Sequence, residues 1–120
     1  MRRTSTTLLA LIALPVLLFA RDAREQQRID YLIQSFSSLQ GAVFIRNGKE
    51  YDAPAARDHL QSKLNHAGER VKTAEQFIKY CASESSMTHQ PYKIRLADGT
   101  VTETASYFSE KLKEFDRKKE

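Results

Sequence analysis

Two glycine-containing turns constrain the fold of this 120-residue chain more than any other feature of its sequence. The turns and their extended flanks are Asn47-Gly48 between residues 43–46 and 49–51, and Asp98-Gly99 between residues 92–96 and 100–102. An Asn-Gly pair between extended runs is a strong hairpin signal, because both residues tolerate positive φ. An isolated hairpin is only marginally stable. The sequence therefore predicts that the two hairpins form one small sheet packed against helices.

Segments with helical periodicity flank both hairpins. Residues 22–39 carry apolar side chains at steps of three and four, which predicts a helix that stops before Gly41. Asp52, followed by Pro54, predicts the start of a second helix that runs to about residue 67. Thr104 is in position to cap a last helix. The apolar faces of the first and last helices are Ile29, Leu32, Ile33, Phe36 and Leu39, and Phe108, Leu112 and Phe115.

The segment between the hairpins has two interpretations. Thr73 and Gln76 have the spacing of a capping box, and Gly68 supplies a stop before them, which favours two helices. One long, kinked helix over residues 54–83 is the alternative, because apolar side chains continue at steps of four and three throughout it. With two helices, the element order is α-ββ-α-α-ββ-α. This order predicts an α+β fold, with a small antiparallel sheet from two hairpins and about four helices packed on one face.

Residues 1–20 have the layout of a secretory signal peptide. Arg2 and Arg3 precede an uncharged apolar stretch of 13 residues, 8–20, and charged residues follow from Arg21. A membrane-spanning helix needs roughly 20 apolar residues, so an uncleaved anchor is the less favoured alternative. We expect cleavage after Ala20, although Leu18 occupies a position where small residues are preferred. The expected product is a single periplasmic domain, residues 21–120, with no permanent membrane span.

Charge and cysteine content narrow the function classes. The chain has 19 basic and 15 acidic residues, and its formal charge falls from +4 to +2 when Arg2 and Arg3 are removed. This near-balance, together with export, argues against a nucleic-acid partner. A single cysteine, Cys81, allows no intramolecular disulfide. Its helical spacing from Ala74, Phe77 and Ile78 predicts a buried position, with pairing to a second copy or a reactive thiol as alternatives.

Several segments of the mature chain resemble the YfeK-like family of small exported proteins from Gram-negative bacteria. The resemblance implies export and one compact domain, and it supplies no activity, cofactor or site. Two positions before Pro91-Tyr92, where the family has a small residue such as Gly, this chain has His89. The matching residues are Phe44-Ile45-Arg46-Asn47-Gly48, Tyr51, Ala55-Ala56, His59-Leu60, residues 72–78, Ala82-Ser83, Ser85-Ser86-Met87 and Pro91-Tyr92.

The sequence contains no strong motif for catalysis or for metal binding. His59 and His66 share a helix face, but seven residues correspond to about 10.5 Å of helix rise, too far for two ligands of one metal ion. The serines at 83, 85 and 86 lie near His89 but lack the Gly-x-Ser-x-Gly and Ser-x-x-Lys patterns. The carboxylate pairs Glu50/Asp52 and Glu69/Glu75 lack any evidence of a shared cleft. We therefore predict no catalytic residue, no metal and no cofactor.

One polar set is a candidate for ligand recognition. If the hairpins lie side by side, its members converge on one surface, and Arg, Tyr and His are typical of recognition sites. The alternative is that the two tyrosines are aromatic residues at the edge of the core and that the arginine pairs with an acid. We predict a non-catalytic binding or accessory module of the bacterial envelope, whose partner is an envelope protein or small ligand, with homodimerisation possible. A hydrolase acting on an envelope component is the alternative. The candidate residues are Arg46, Tyr51, His59, Lys63, Ser85, Ser86 and Tyr92.

Overall fold

Both predicted hairpins are present in the computed structural model, which describes residues 21–118. Strands β1 (Val43–Arg46) and β2 (Lys49–Tyr51) are joined by Asn47 and Gly48, with φ of 52° and 77°. Strands β3 (Lys93–Arg95) and β4 (Val101–Glu103) form the second hairpin. Positive φ at both turn residues of the first hairpin suits the right-handed twist of its strands. The predicted signal peptide, residues 1–20, with its cleavage site, lies outside the described residues.

The four helices have the order that the sequence predicts. They are α1 (Ala23–Ser37), α2 (Ala53–Ala67), α3 (Ala74–Cys81) and α4 (Thr104–Lys118). Asp52 caps α2 by accepting a hydrogen bond from the Ala55 N–H at 3.0 Å. A short 3-10 turn, Gly68–Arg70, follows α2, and Thr73 and Gln76 form the complete capping box of α3. The prediction of two separate helices is therefore confirmed over that of one kinked helix.

The predicted capping role of Thr104 is wrong. Strand β4 runs directly into α4, so Thr104 is already the first helical residue, and its backbone N–H donates to the Tyr92 carbonyl at 2.9 Å. Its side chain is fully buried, and its hydroxyl has no hydrogen-bond partner among the described residues. The position from which a side chain caps the helix is occupied by Glu103, the last residue of β4, which has no hydroxyl group.

The two hairpins form one antiparallel sheet with the strand order β2-β1-β3-β4. The hairpins join through β1 and β3, whose register pairs Phe44 with Ile94. These two side chains are buried under the helices, whereas Arg95 and Glu50 form an exposed ion pair on the same sheet. The α+β fold is therefore confirmed. No helix within residues 21–118 has both the length and the apolar character that crossing a bilayer requires.

The core lies between the sheet and the helices and contains Cys81. Its largest fully buried side chains are Tyr92, Phe36, Phe44, Phe77 and Phe108. Cys81 has no exposed surface, which confirms the predicted buried position. Burial raises the pKa of the Cys81 thiol, and a protonated, inaccessible thiol is a poor nucleophile.

A buried arginine joins three helices at the side of the core. The Arg28 side chain, on α1, is 6% exposed and pairs with Glu25 of α1, Glu75 of α3 and Asp116 of α4. Hydrogen bonds to Glu75, and further ones to Asp116 and Glu25, raise the Arg28 pKa despite its desolvation. Glu75 thus has a structural partner, beyond the helix-terminal role that its position in the sequence predicts.

Candidate functional site

A cleft of about 400 Å³ lies between α2, the end of β1, the last turn of α3 and the loop that leads into β3. Its lining is rich in cations and hydroxyl groups and contains no carboxylate side chain. The polar lining residues are Arg46, His59, Ser62, Lys63, His66, Arg70, Ser85, Ser86 and Tyr92, and Ala67, Tyr80 and Met87 complete the walls. Hydrogen-bond donors therefore dominate the chemistry of this cleft.

Six of the seven residues predicted for ligand recognition line this cleft, and Tyr51 does not. The pairing of β1 with β3 brings the last residue of β1 and the loop before β3 to the same end of the sheet. Tyr51 lies beside the cleft, with its ring centroid 5.7 Å from the Arg46 guanidinium carbon and 5.6 Å from Lys49 Nζ. A cation over an aromatic face is attracted to it, so Tyr51 supports Arg46 and does not face the cleft itself.

Helical spacing explains why α2 supplies the largest share of the cleft. The other polar residues of α2 at the cleft lie three, four and seven positions after His59, at Ser62, Lys63 and His66. All four therefore project from one side of the helix. The neighbouring Leu60 and Leu64 are buried in the core. The hydrophobic face therefore fixes the rotation of the helix, and this rotation directs the polar face toward the cleft.

A hydrogen-bonded chain connects His59, Tyr92 and Lys63. Lys63 Nζ is 3.2 Å from Tyr92 Oη and 3.1 Å from Ser86 Oγ, and His59 Nε2 is 3.2 Å from Tyr92 Oη. An ammonium group only donates, so Tyr92 Oη accepts from Lys63, while the tautomer of His59 decides whether Tyr92 donates to His59 Nε2 or accepts from it. Burial, and then the charges of Arg46 and Lys63, lower the His59 pKa to about 4. The imidazole is therefore neutral at pH 7, and it accepts the Tyr92 proton at Nε2 in the tautomer that carries its own proton on Nδ1.

Tyr92 belongs to both the core and the cleft. Its ring contacts those of Phe44 and His59, with centroid distances of 5.1 and 5.7 Å, and the residue is only 1% exposed. Its hydroxyl nevertheless contacts the polar side chains of His59 and Lys63 in the cleft. The two interpretations of Tyr92 from the sequence are therefore compatible, because each concerns a different part of the side chain.

The cleft loop, residues 82–91, is held in place by Ser85. The Ser85 hydroxyl oxygen accepts hydrogen bonds from the Met87 and Thr88 N–H groups at 3.2 and 3.3 Å, and from Asn47 Nδ2 at 3.3 Å. Asn47 also accepts from the Thr88 hydroxyl at 2.6 Å. The tight turn of the first hairpin thus fixes the loop that carries Ser86 and Met87.

The residue that differs from the YfeK-like pattern, His89, has a φ of 63°. Glycine adopts this left-handed conformation at the least steric cost, which gives a physical reason for a small residue at this position. The His89 side chain is exposed and its Nδ1 lies 2.8 Å from a Glu84 carboxylate oxygen. His89 does not line the cleft.

Three cations of the cleft have no carboxylate partner within residues 21–118. Arg46, Lys63 and Arg70 form no ion pair there, whereas Arg28 and Arg95 are both paired with carboxylates. Lys63 instead contacts neutral oxygens, and Arg70 Nε donates to the Ala67 carbonyl at 3.4 Å. The cleft therefore carries uncompensated positive charge, which attracts anions.

Sequence reasoning missed six lining residues, of which Ala67 is a buried residue of the core. Ser62 and His66 share the helical spacing of His59 and Lys63, so a search for polar residues along that face identifies them. Arg70 lies in the 3-10 turn beyond the end of α2. Tyr80 and Met87 have no comparable local signal, because their position depends on how α3 and the cleft loop pack. Within the described part of the chain, no group of three or more His, Cys, Asp or Glu side chains is placed to hold a metal ion.

Together these features define an α+β protein with an open, cationic cleft at one end of its sheet. Residues 23–116 match a family of unknown function, DUF5329, and the chain belongs to this family. It is also 38% identical over 71 residues to the uncharacterized protein YfeK of Salmonella typhimurium, a match that spans 59% of this chain and 59% of that protein. The resemblance found in the sequence is thereby confirmed. No solved structure gives a significant match.

Proposed function

We propose that this protein is a non-catalytic binding module of the bacterial envelope and that its cleft binds a small anionic ligand. The observation that carries the proposal is the set of three cations, Arg46, Lys63 and Arg70, without a carboxylate partner in the described chain. Their mutual repulsion disfavours the empty cleft, and a bound anion relieves that repulsion. Hydroxyl groups of Ser62 and Ser86 add neutral donors around the same space.

The arrangement of Lys63 supports recognition of an oxyanion. Tyr92 and Ser86 fix the direction of its ammonium group through oxygen atoms that carry no formal charge. The cation is therefore oriented but not neutralised, and preorganised donors lose little entropy when a ligand binds. The loop that carries Ser86 is likewise held by Ser85 before any ligand arrives.

A thermal-shift titration with inorganic phosphate at low ionic strength tests the binding proposal. A ligand that binds only the folded state stabilises it by about 2.7 kcal/mol at 100 times its dissociation constant. We expect Lys63→Gln to abolish the shift. Lys111→Gln is the matched control, because Lys111 Nζ also lies over a tyrosine ring, at 5.5 Å against 5.2 Å for Lys63, but outside the cleft. No shift in the natural protein, or equal shifts in both variants, would contradict the proposal.

The location in the envelope rests on the signal-like residues 1–20 and has a separate test. The full chain is expressed in a Gram-negative host, and its mass is measured in the osmotic-shock fraction. We expect a periplasmic protein that begins at Arg21. A full-length protein confined to the cytoplasm would refute export and leave the binding result unaffected.

A hydrolase is the second candidate because Lys63 Nζ lies 3.1 Å from Ser86 Oγ. A lysine adjacent to a serine is one arrangement that activates the hydroxyl as a nucleophile. However, the N–H groups of Met87 and Thr88, which follow Ser86, already donate to Ser85. They are not free to stabilise an oxyanion, which is why binding is preferred. Covalent labelling of Ser86 by a fluorophosphonate, absent in Ser86→Ala, would favour the hydrolase instead.

A further inference from the structure

We infer that the anion bound in the cleft is an organic phosphate, a phosphate monoester whose organic part is apolar and contacts Tyr80 and Met87. This inference rests on the proposed function and specifies the ligand of the same cleft. Tyr80 and Met87 line the cleft together with the cations, and they are 45% and 88% exposed. One ligand with an anionic end and an apolar end satisfies both parts of this lining.

The large apolar side chains that are exposed to solvent cluster at the cleft. Within residues 21–118 the exposed large hydrophobic residues are Tyr80, Met87 and Val101, and the first two line one cavity. A single exposed apolar side chain is ordinary, whereas apolar residues grouped at a cleft are typical of a binding site. Met87 is not exposed through a loose backbone, because its N–H donates to Ser85 Oγ at 3.2 Å.

The two apolar residues suit an organic group of variable shape. Tyr80 lies in the last turn of α3 and Met87 in the cleft loop, so they come from different walls of the cavity. A tyrosine ring offers a flat contact surface, and a methionine side chain adapts its rotamer to what it touches. An aromatic or short aliphatic group between them would remove both from water.

The charge of the cleft favours phosphate over carboxylate. Arg46, Lys63 and Arg70 carry three formal positive charges, and no carboxylate lines the cavity. A carboxylate ligand brings one negative charge. A phosphate monoester carries about 1.5 to 2 negative charges near pH 7 and has three acceptor oxygens. The tetrahedral group therefore matches both the charge and the number of donors more closely. This chemistry is shared by soluble phosphate esters and by lipids with a terminal phosphate.

Calorimetric titration with three probes tests the inference. We expect phenyl phosphate to bind about tenfold more tightly than inorganic phosphate, and benzoate to bind more weakly than either. In the double variant Tyr80→Ser, Met87→Ser, the ratio of the affinity for phenyl phosphate to the affinity for inorganic phosphate should fall from about ten to about one. Val101→Ser, at the exposed hydrophobic residue outside the cleft, is the matched control and should leave all three affinities unchanged.

The outcomes separate this inference from the proposed function. Equal affinity for phosphate and phenyl phosphate would overturn the inference while binding of an anion stands, and no binding of any probe would overturn both. A phenyl gain that survives the double variant would also overturn the assigned apolar contact. Vesicles of phosphatidylcholine with and without phosphatidic acid distinguish the sources. Binding to the acidic vesicles that phenyl phosphate displaces supports a lipid, whereas binding of phenyl phosphate alone supports a soluble ester.

Discussion

Arg28→Met removes a buried cation on which three helices converge. The guanidinium uses all five of its N–H donors, to one oxygen of Glu25 at 2.8 Å, both oxygens of Glu75 at 2.8 and 3.0 Å, and both oxygens of Asp116 at 3.0 and 3.2 Å. Methionine retains much of the apolar stem without the charge. The variant therefore leaves three carboxylates facing one another without the cation between them.

The expected loss is about 3 kcal/mol in the free energy of unfolding at pH 7. Removing one partner of a buried ion pair typically costs about 3 to 5 kcal/mol. The low end applies because the Glu75 and Asp116 side chains are 64% and 35% exposed and can turn toward water. In the natural protein Arg28 lowers the pKa of Glu75. The stability that this shift contributes is fully present above the pKa of Glu75 in the unfolded chain, about 4.5, and is lost as the pH falls through its pKa in the folded protein.

Urea unfolding at pH 7 and pH 3, analysed with a common m-value, measures this loss. Arg95→Met is the control, because Arg95 also forms a two-bond pair, with Glu50 at 2.9 Å, but on the exposed side of the sheet. We expect the control to change stability little. The reasoning is refuted if both variants lose the same amount, or if the loss for Arg28→Met is as large at pH 3, where protonated carboxylates no longer repel one another.

Three further predictions concern single side chains, each measured by urea unfolding. The folded pKa of His59 is about 4 against 6.5 when unfolded, so the unfolded state binds the proton first and stability falls from pH 6.5 to 4. The shift of the His59 pKa sets an upper limit of about 3 kcal/mol on this fall in stability, and partial exposure of the side chain reduces it to about 1 to 2 kcal/mol. His59→Gln should lack this dependence on pH. Thr104→Val should raise stability by about 1 kcal/mol, because it removes a buried hydroxyl with no partner among the described residues. His89→Gly should raise it by up to about 1 kcal/mol by relieving the positive φ; a loss in either of these two variants would contradict the argument.

Local sequence signals were sufficient for the secondary structure and its order. The Asn47-Gly48 turn, the Asp52 cap and the capping box of Thr73 and Gln76 each depend on residues within three or four positions. A short segment therefore contains all the interactions that form each of these features. Thr104 shows the limit, because a threonine before an apolar helical pattern looks the same whether a loop or a strand precedes it. The strand that runs straight into α4 decides the outcome.

Long-range contacts were beyond the sequence signals. Arg28 meets Glu75 and Asp116 across 47 and 88 residues, and no local pattern identifies those partners. In the cleft, the spacing of His59 and Lys63 predicts a shared helix face, but the contact of Lys63 with Ser86 depends on the pairing of β1 with β3. Tyr80 and Met87 were missed for the same reason, since only tertiary packing places them at one cavity.

The way in which the cleft holds its cations suggests a final test. Carboxylates neutralise Arg28 and Arg95, whereas Lys63 is held by oxygens of Tyr92 and Ser86. If stability alone governed this site, a carboxylate at position 86 would serve better. Ser86→Asp should therefore stabilise the protein by about 0.5 to 1 kcal/mol and abolish phosphate binding, because the new carboxylate occupies the place of the ligand. Ser86→Asn, similar in shape but neutral, should retain binding. Undiminished phosphate affinity in Ser86→Asp would show that the ligand does not bind at Lys63.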